Sequence, residues 1–315
     1  MPAFQTPLGA LPSRFRRERV LVVGCGDVGL RAARILRGRV SLLALTSQHA
    51  RAEELRAAGI TPLIGNLDEP GHIARLAGIA TRVLHLAPPP RVEGAAHSGA
   101  WWRDARTTAL VRALQRRSLP QALVYGSTSG VYGDCNGAWV AELHALRPAT
   151  PRAHRRVDAE RAVRWLGRSG TQVRILRIPG IYAPDRQGGT PRERLLRGTP
   201  ALREQDDAYS NHIHADDLAR ACVIALWRGG APRAFHVSDD GPMKMGDYFD
   251  LAADLYGLPR PDRISREEAQ AQLPSQLLSF MGESRRLDNT RLKRELRMRL
   301  RYPTVREGLR VDEPG

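Results

Sequence analysis

A chain of 315 residues with 42% hydrophobic side chains can bury one large core or two moderate ones, and no run is long enough to span a bilayer. Its formal charge of +16 invites a nucleic-acid reading, because clustered cations bind phosphate by releasing counterions. Only Lys244 and Lys293 are lysines, however, and the arginines alternate with acids as in "DAERAVRWLGR", so the charge reads as a chain-wide arginine bias on solvated faces, and no specific nucleic-acid partner is expected.

Residues 1–17 carry three prolines and place their arginines after a weakly apolar stretch, the reverse of a secretory signal peptide; a flexible tail is expected there. Cys25, Cys135 and Cys222 are odd in number and widely spaced, which argues against a disulfide framework or a zinc ribbon and points to the reducing cytoplasm. The first ordered signal is "RVLVVGCGDVGLRAARIL". A β-rich run over 20–23 leads into Gly24, Gly26 and Gly29 at G-x-G-x-x-G spacing, then a helical pattern with Val28, Ala32 and Ile35 on one face. Gly24 would permit the tight turn, Gly26 the approach of a pyrophosphate, and Gly29 close helix–strand packing. Asp27 and Val28 open the helix whose N-terminal amides would bind the anion.

Strand and helix patterns then alternate. "RVSLLALT", "ITPLIGN", "TRVLHLAPPP", "ALVYGST" and "QVRILRIPG" read as strands. "ARAEELRAAG", "DEPGHIARLAG" and the stretches 105–117 and 154–166 read as helices. Such alternation predicts an α/β fold: a Rossmann-type doubly wound, mostly parallel sheet, with ligands beyond the carboxyl ends of its strands. After Tyr182 the pattern loosens. "NHIHADDLARACVIALW" gives a short strand and a helix capped by Asp216 or Asp217, "RAFHVSDD" a strand, and "KMGDYFDLAADLYGLPRP" a helix ended by Gly257 and Pro259. The expected division is a dinucleotide-binding domain over 18–182 and 210–238, with a small substrate lobe over 183–209 and 239–312.

At the end of the second strand an acid would bond a free ribose 2′-hydroxyl, whereas cations and hydroxyls suit a 2′-phosphate. The chain offers Thr46, Ser47 and Arg51 there, with no acid before Glu53, so NADP is favoured over NAD. Asn66 and Leu67 after the third strand, and Leu86 and Ala87 after the fourth, complete the expected cofactor contacts.

From "YGSTSGVYGD", with "VRILRIPGIYAP", "NHIHADDLARACVIAL", "FHVSDDGP" and "RYPTVREGL", the chain resembles the extended short-chain dehydrogenase/reductases, the NAD(P)-dependent epimerase/dehydratase group. It looks most like an atypical, YeeZ-like branch. The resemblance implies an oxidoreductase or epimerase acting on a small polar, anionic or sugar-linked substrate. It also implies a hydroxyl, here Thr128, that orients the substrate oxygen, and a Tyr-x-x-x-Lys pair on the following helix. In "RAHRRVDAE" that pair becomes Arg152 and Arg156, with Glu160 as the acid that sets the alignment. A guanidinium stays protonated at ordinary pH, so Arg152 cannot relay a proton. Arg156 could still hold ribose or an anion. His154, Tyr132 and Tyr182 are the remaining proton sources. The alternative is a non-catalytic dinucleotide-binding redox sensor or scaffold.

Other features read more plainly. His212 and His214 alternate on a short strand ahead of Asp216 and Asp217 and superficially suggest metal ligands; a strand end and helix cap is simpler, and no metal is expected. Cys25 lies near a helix N-terminus that could lower its pKa. A monomer or homodimer is expected.

Overall fold

The computed structural model describes residues 18–90, 100–274, 277–278 and 281–310. The stretch 1–17, read above as a tail, lies outside the described residues. In chain order the first half comprises β1 (Arg19–Val23), α1 (Asp27–Leu36), β2 (Ser41–Thr46), α2 (Arg51–Ala57), β3 (Thr61–Ile64), α3 (Pro70–Ala74), β4 (Arg82–His85), α4 (Ala105–Leu114) and β5 (Ala122–Thr128). A 3-10 turn (Ser129–Tyr132), β6 (Trp139–Val140), α5 (Pro151–Arg168), β7 (Gln172–Ile178) and β8 (Gly180–Tyr182) follow. The remainder contains α6 (Arg192–Leu196), β9 (Ala201–Leu202), β10 (Tyr209–Ser210), β11 (His212–His214), α7 (Ala215–Trp227), β12 (Arg233–His236), β13 (Met243–Lys244) and α8 (Met245–Tyr256). It closes with β14 (Arg263–Ile264), α9 (Arg266–Gln272), β15 (Arg286–Leu287) and two short helices, Thr290–Glu295 and Val305–Leu309.

Seven strands form one parallel sheet in the order β12-β7-β5-β4-β1-β2-β3. β1 shows why. Its apolar run alternates between two cores, Val20 and Val22 packing on one face and Leu21 and Val23 on the other, and a strand buried on both faces needs helices above and below. α1 packs beside α7 on the first face, where Ala32, Ala33, Ala219 and Ala221 allow close approach. Leu110, Val163 and Leu166 from α4 and α5 cover the second.

The strand order reverses between β1 and β4, the place where crossovers leave in opposite directions and open a crevice. Val23 pairs with His85 and His85 with Tyr125, so the ends of β1, β4 and β5 lie side by side at that crevice.

Two readings change. α7 begins directly after β11 and is capped by His214, whose Nδ1 accepts from the Asp216 amide at 3.2 Å. Asp217 is instead fully buried and receives the Arg301 and Tyr302 amides at 2.8 and 2.9 Å, tying the C-terminal segment to α7. The stretch 239–312, assigned whole to the small lobe, divides: α8 packs with Tyr182, Leu195 and Leu309 in a separate core, whereas Leu292, Leu296 and Met298 pack into the core of the large sheet. α8 ends as expected, with Gly257 left-handed at φ 61°.

Candidate functional site

Each glycine of the first loop has a distinct geometry. Gly24 turns at φ 88°, and a Cβ there would stand 2.6 Å from Ala87 Cα and 2.7 Å from the Leu86 carbonyl carbon. It is glycine because the loop lies against the end of β4, where the Leu86 and Ala87 amides both donate to the Val23 carbonyl at 2.7 and 3.0 Å. A Cβ on Gly29, expected to allow close helix–strand packing, would come within 3.1 Å of the Gly24 carbonyl oxygen and 3.4 Å of Val22 Cγ1 on β1. A Cβ on Gly26 would meet nothing within 4 Å, so open space lies before the first turn of α1. No side chain caps that helix, and its amides remain available to an anion. A dinucleotide diphosphate fits this cradle. Cys25 between them is buried and its thiol is pushed up to about 11, so the expected lowering by the helix end is outweighed by desolvation.

Thr46, at the end of β2, is buried with Oγ1 accepting from the Gln48 amide at 3.2 Å, while Ser47 is exposed. Arg51 opens α2, and its Nε donates to Glu54 at 3.1 Å. Asn66 Oδ1 accepts from the Asp68 amide at 3.1 Å, and Leu67 beside it is half-buried. Asp27 is held by Arg31, whose buried guanidinium also binds Asp185 at 2.7 Å and Asp216 at 2.6 Å. That hub joins the starts of α1 and α7 to the loop after β8.

Thr128 ends β5 and caps the 3-10 turn, its Oγ1 accepting from the Gly130 amide at 3.3 Å. It opens onto a cavity of about 730 Å³ shared with Arg152, Tyr182, His212 and Glu283. This is a volume typical of small-molecule sites. The three arginines of "RAHRRVDAE" part company. Arg152 lines the cavity, Arg155 Nη1 donates to the Trp101 carbonyl at 3.0 Å, and Arg156 turns inward, Nη1 donating to the Gly126 carbonyl at 2.7 Å and to Tyr125 Oη at 3.0 Å.

None of the expected proton sources stands free in that cavity. His154 lies on the opposite face of α5, two residues or about 200° from Arg152, in a second cavity of about 560 Å³ with Trp102, Val157 and Arg161. Tyr132 is sealed in: its Oη receives Arg177 Nη1 at 2.6 Å and stands 2.5 Å from His236 Nε2. His236 Nδ1 faces the Asp288 carbonyl at 2.9 Å, which can only accept, so the proton sits on Nδ1 and Tyr132 donates to Nε2. Tyr182 points away, donating to the Thr304 carbonyl at 3.2 Å, and burial raises its pKa. Sequence reasoning missed the cavity's other charged residues, Arg186, Arg194, Glu283 and Arg285, which come from loops and a short helix without periodic or spacing signals.

Beneath Thr128 lies a buried polar network. Arg177 grips Glu160 with two bonds, Nε to Oε1 at 3.1 Å and Nη2 to Oε2 at 2.8 Å, and Ser127 donates to the same carboxylate at 2.7 Å. On the other side of Tyr125, His85 Nε2 meets Thr107 Oγ1 at 2.9 Å, and Thr107 in turn donates to Asp104 at 2.9 Å.

Burial pushes four histidines down, His85 to about 3, His212 and His236 to about 4, and His214 in the same direction. Unfolded, each titrates near its ordinary value of about 6.5. Between about pH 6.5 and 4 the unfolded chain therefore binds protons that the folded chain refuses, and stability falls as pH falls, on the order of 1 kcal/mol per pH unit for each of His85, His212 and His236. Thermal melts should drop steeply between pH 7 and 5, before the carboxylates titrate; a flat profile there would mean that the rings charge inside the fold.

Among the described residues no group of three or more His, Cys, Asp or Glu is arranged to hold a metal. His212 stacks on Tyr248 with centroids 4.3 Å apart, and His214 on Tyr302 at 3.8 Å. No helix among the described residues is long and apolar enough to cross a membrane.

The profile of the NAD dependent epimerase/dehydratase family matches residues 20–238. No curated protein matches the chain. Among solved structures, a functionally unknown conserved protein from Silicibacter pomeroyi is 27% identical with a TM-score of 0.73, covering 93% of this chain and 96% of its own. A UDP-glucose 4-epimerase from Thermotoga maritima, solved with UDP-glucose, has a TM-score of 0.75 at 18% identity with the same coverage. A UDP-glucose 4-epimerase from Thermus thermophilus in complex with NAD has a TM-score of 0.73 at 21% identity, again with 93% and 96% covered. At those identities the two epimerases share the fold.

Proposed function

The chain belongs to the NAD dependent epimerase/dehydratase family, and on that premise we propose that it is an NAD(P)-binding oxidoreductase or epimerase acting on a small polar or sugar-linked substrate in the Thr128 cavity. The observation that carries this reading is the placement of two built features at the same end of the sheet, on the strands that flank β4: the open glycine cradle after β1 and the hydroxyl-bearing cavity after β5. Gly24, Gly26 and Gly29, with the amides of Asp27 and Val28, hold the diphosphate. Thr46, Ser47 and Arg51 take the adenosine ribose, Asn66 and Leu67 the adenine, and Leu86 and Ala87 line the path toward the nicotinamide. When bound, the nicotinamide supplies hydride chemistry. Thr128 orients the substrate oxygen. Arg156, with Nη1 committed to β5, offers its remaining guanidinium donors to ribose and fixes the strand end. We place the protein in the cytoplasm, as a monomer or homodimer, in keeping with its free, widely spaced cysteines.

The absence of an acid at the end of β2 supports NADP over NAD. Fluorescence titration with NADPH and NADH tests the cofactor and its type together: NADPH is expected to bind more tightly, and Arg51→Ala to narrow the gap. Binding of neither would remove the whole reading. Following nicotinamide absorbance with nucleotide sugars, aldehydes and quinones tests turnover. Thr128→Ala is expected to cut any such turnover by about 100-fold while leaving cofactor affinity unchanged; wild-type rates in that variant would remove Thr128 from the chemistry. Since Tyr132 and Tyr182 are engaged elsewhere and His154 faces another cavity, tight cofactor binding with every substrate inert would favour a dinucleotide-binding sensor or scaffold.

A further inference from the structure

The Thr128 cavity is unusually rich in unneutralised charge. Arg152, Arg186, Arg194 and Arg285 line it, against a single carboxylate, Glu283. Glu283 is committed to Arg285, with Oε2 2.9 Å from Nη1. Among the described residues no acid pairs with Arg152 or Arg194; their charged neighbours are other arginines, Arg156 and Arg197. Arg186 reaches only to 3.9 Å from Asp27, and its Nη1 is buried with no hydrogen-bond partner among the described residues. Arg31, Arg106 and Arg260, by contrast, each pair closely with an acid. What sets this cluster apart is that arginines from four separate segments line one cavity. Like charges lining one cavity repel, and the arrangement falls in energy when anions enter.

The positions of the cations divide the cavity. Arg152 stands on the first turn of α5, the helix that packs on the turn following Thr128. Arg194 belongs to the small lobe, over the Phe249 ring at 5.3 Å, and Arg186 borders the start of α1. We propose that the substrate carries an anionic group at each end: a carboxylate or phosphate next to the reacting carbon, held by Arg152 beside the Thr128 hydroxyl, and a second anion held by Arg194 and Arg186. A guanidinium suits this role because it grips a carboxylate or phosphate through two parallel bonds and keeps its charge at any ordinary pH. A cavity of about 730 Å³ holds a sugar-sized body with two such ends. The inference rests on the reading of this cavity as the substrate site.

The test compares two probes that differ by one charge, glucose 1-phosphate and glucuronic acid 1-phosphate, by calorimetry on the full-length protein with and without its nicotinamide cofactor. The doubly anionic probe is expected to bind roughly 10-fold more tightly at low salt. Arg152→Gln should bring the two within about 2-fold with little change in melting temperature, because no acid among the described residues pairs with that side chain. Arg194→Gln should weaken both probes. Equal affinities in the wild type, a ratio that survives Arg152→Gln, or no binding of either probe at millimolar concentration would each overturn the proposal. The cofactor titration is read separately: a protein that binds dinucleotide yet shows any of those outcomes keeps its proposed function and loses only the two-anion substrate.

Discussion

Replacing Gly26 with Val is expected to leave the melting temperature unchanged and abolish nicotinamide dinucleotide binding, whereas Gly24→Ala should destabilise the whole protein. The two positions lie two residues apart in one motif, yet their surroundings are opposite. Gly26 has φ −81°, comfortable for any residue, and a Cβ there points into open space. A side chain at that point costs the fold little and fills the volume a diphosphate needs. Gly24 has φ 88°, and its Cβ would collide with backbone atoms of Leu86 and Ala87, which cannot swing aside as a flexible side chain would. Left-handed strain of about 1–2 kcal/mol adds to the displacement of β4 from β1, so a loss of about 3 kcal/mol or more is expected in urea denaturation. Wild-type dinucleotide affinity in Gly26→Val would place the cofactor elsewhere. A stable, cofactor-binding Gly24→Ala would show that the loop does not rest on β4.

The second large effect lies in the network beneath the cavity. Arg177→Met should cost about 3–5 kcal/mol, because it leaves the buried Glu160 carboxylate with the Ser127 hydroxyl and only the half-exposed Arg164, 3.7 Å away, for compensation. Glu160→Leu should be similarly costly, since it strands a guanidinium. The double variant is expected to be more stable than the sum of the two losses implies, since removing both charges together removes the desolvation cost of each. Purely additive losses would mean that the pair is not coupled as its two bonds suggest. Arg177 also donates to Tyr132 and to the Glu142 carbonyl, and Glu160 accepts from Ser127, so the pair anchors both ends of the turn that presents Thr128. The single variants should therefore also weaken binding in the Thr128 cavity, measured at a temperature where they remain folded.

Much of the dinucleotide half was legible from local rules. A strand, three glycines at fixed spacing and an amphipathic helix follow one another within eighteen residues, and each glycine's role depends on neighbours close in sequence or on the adjacent strand. The parallel sheet followed from alternating periods. The catalytic half was less so. Helix phase alone separates His154 from Arg152, but which of them meets the cavity depends on how α5 lies against β5 and β7. The capping of α7 by His214 in place of Asp216 or Asp217 turned on a strand and helix that meet without a linking residue.

Sequence alone determined the class of sheet and the glycine loop at the end of β1, because backbone periodicity and glycine's freedom act over a few residues; the hydroxyl at the end of β5 was marked by the family resemblance. Tertiary structure decided which arginines are spent and which face the cavity. Arg156 and Arg177 are consumed by Gly126 and Glu160, and Tyr132 by His236, more than a hundred residues away. A side chain's availability depends on partners brought by distant segments, and no local pattern encodes which partner arrives.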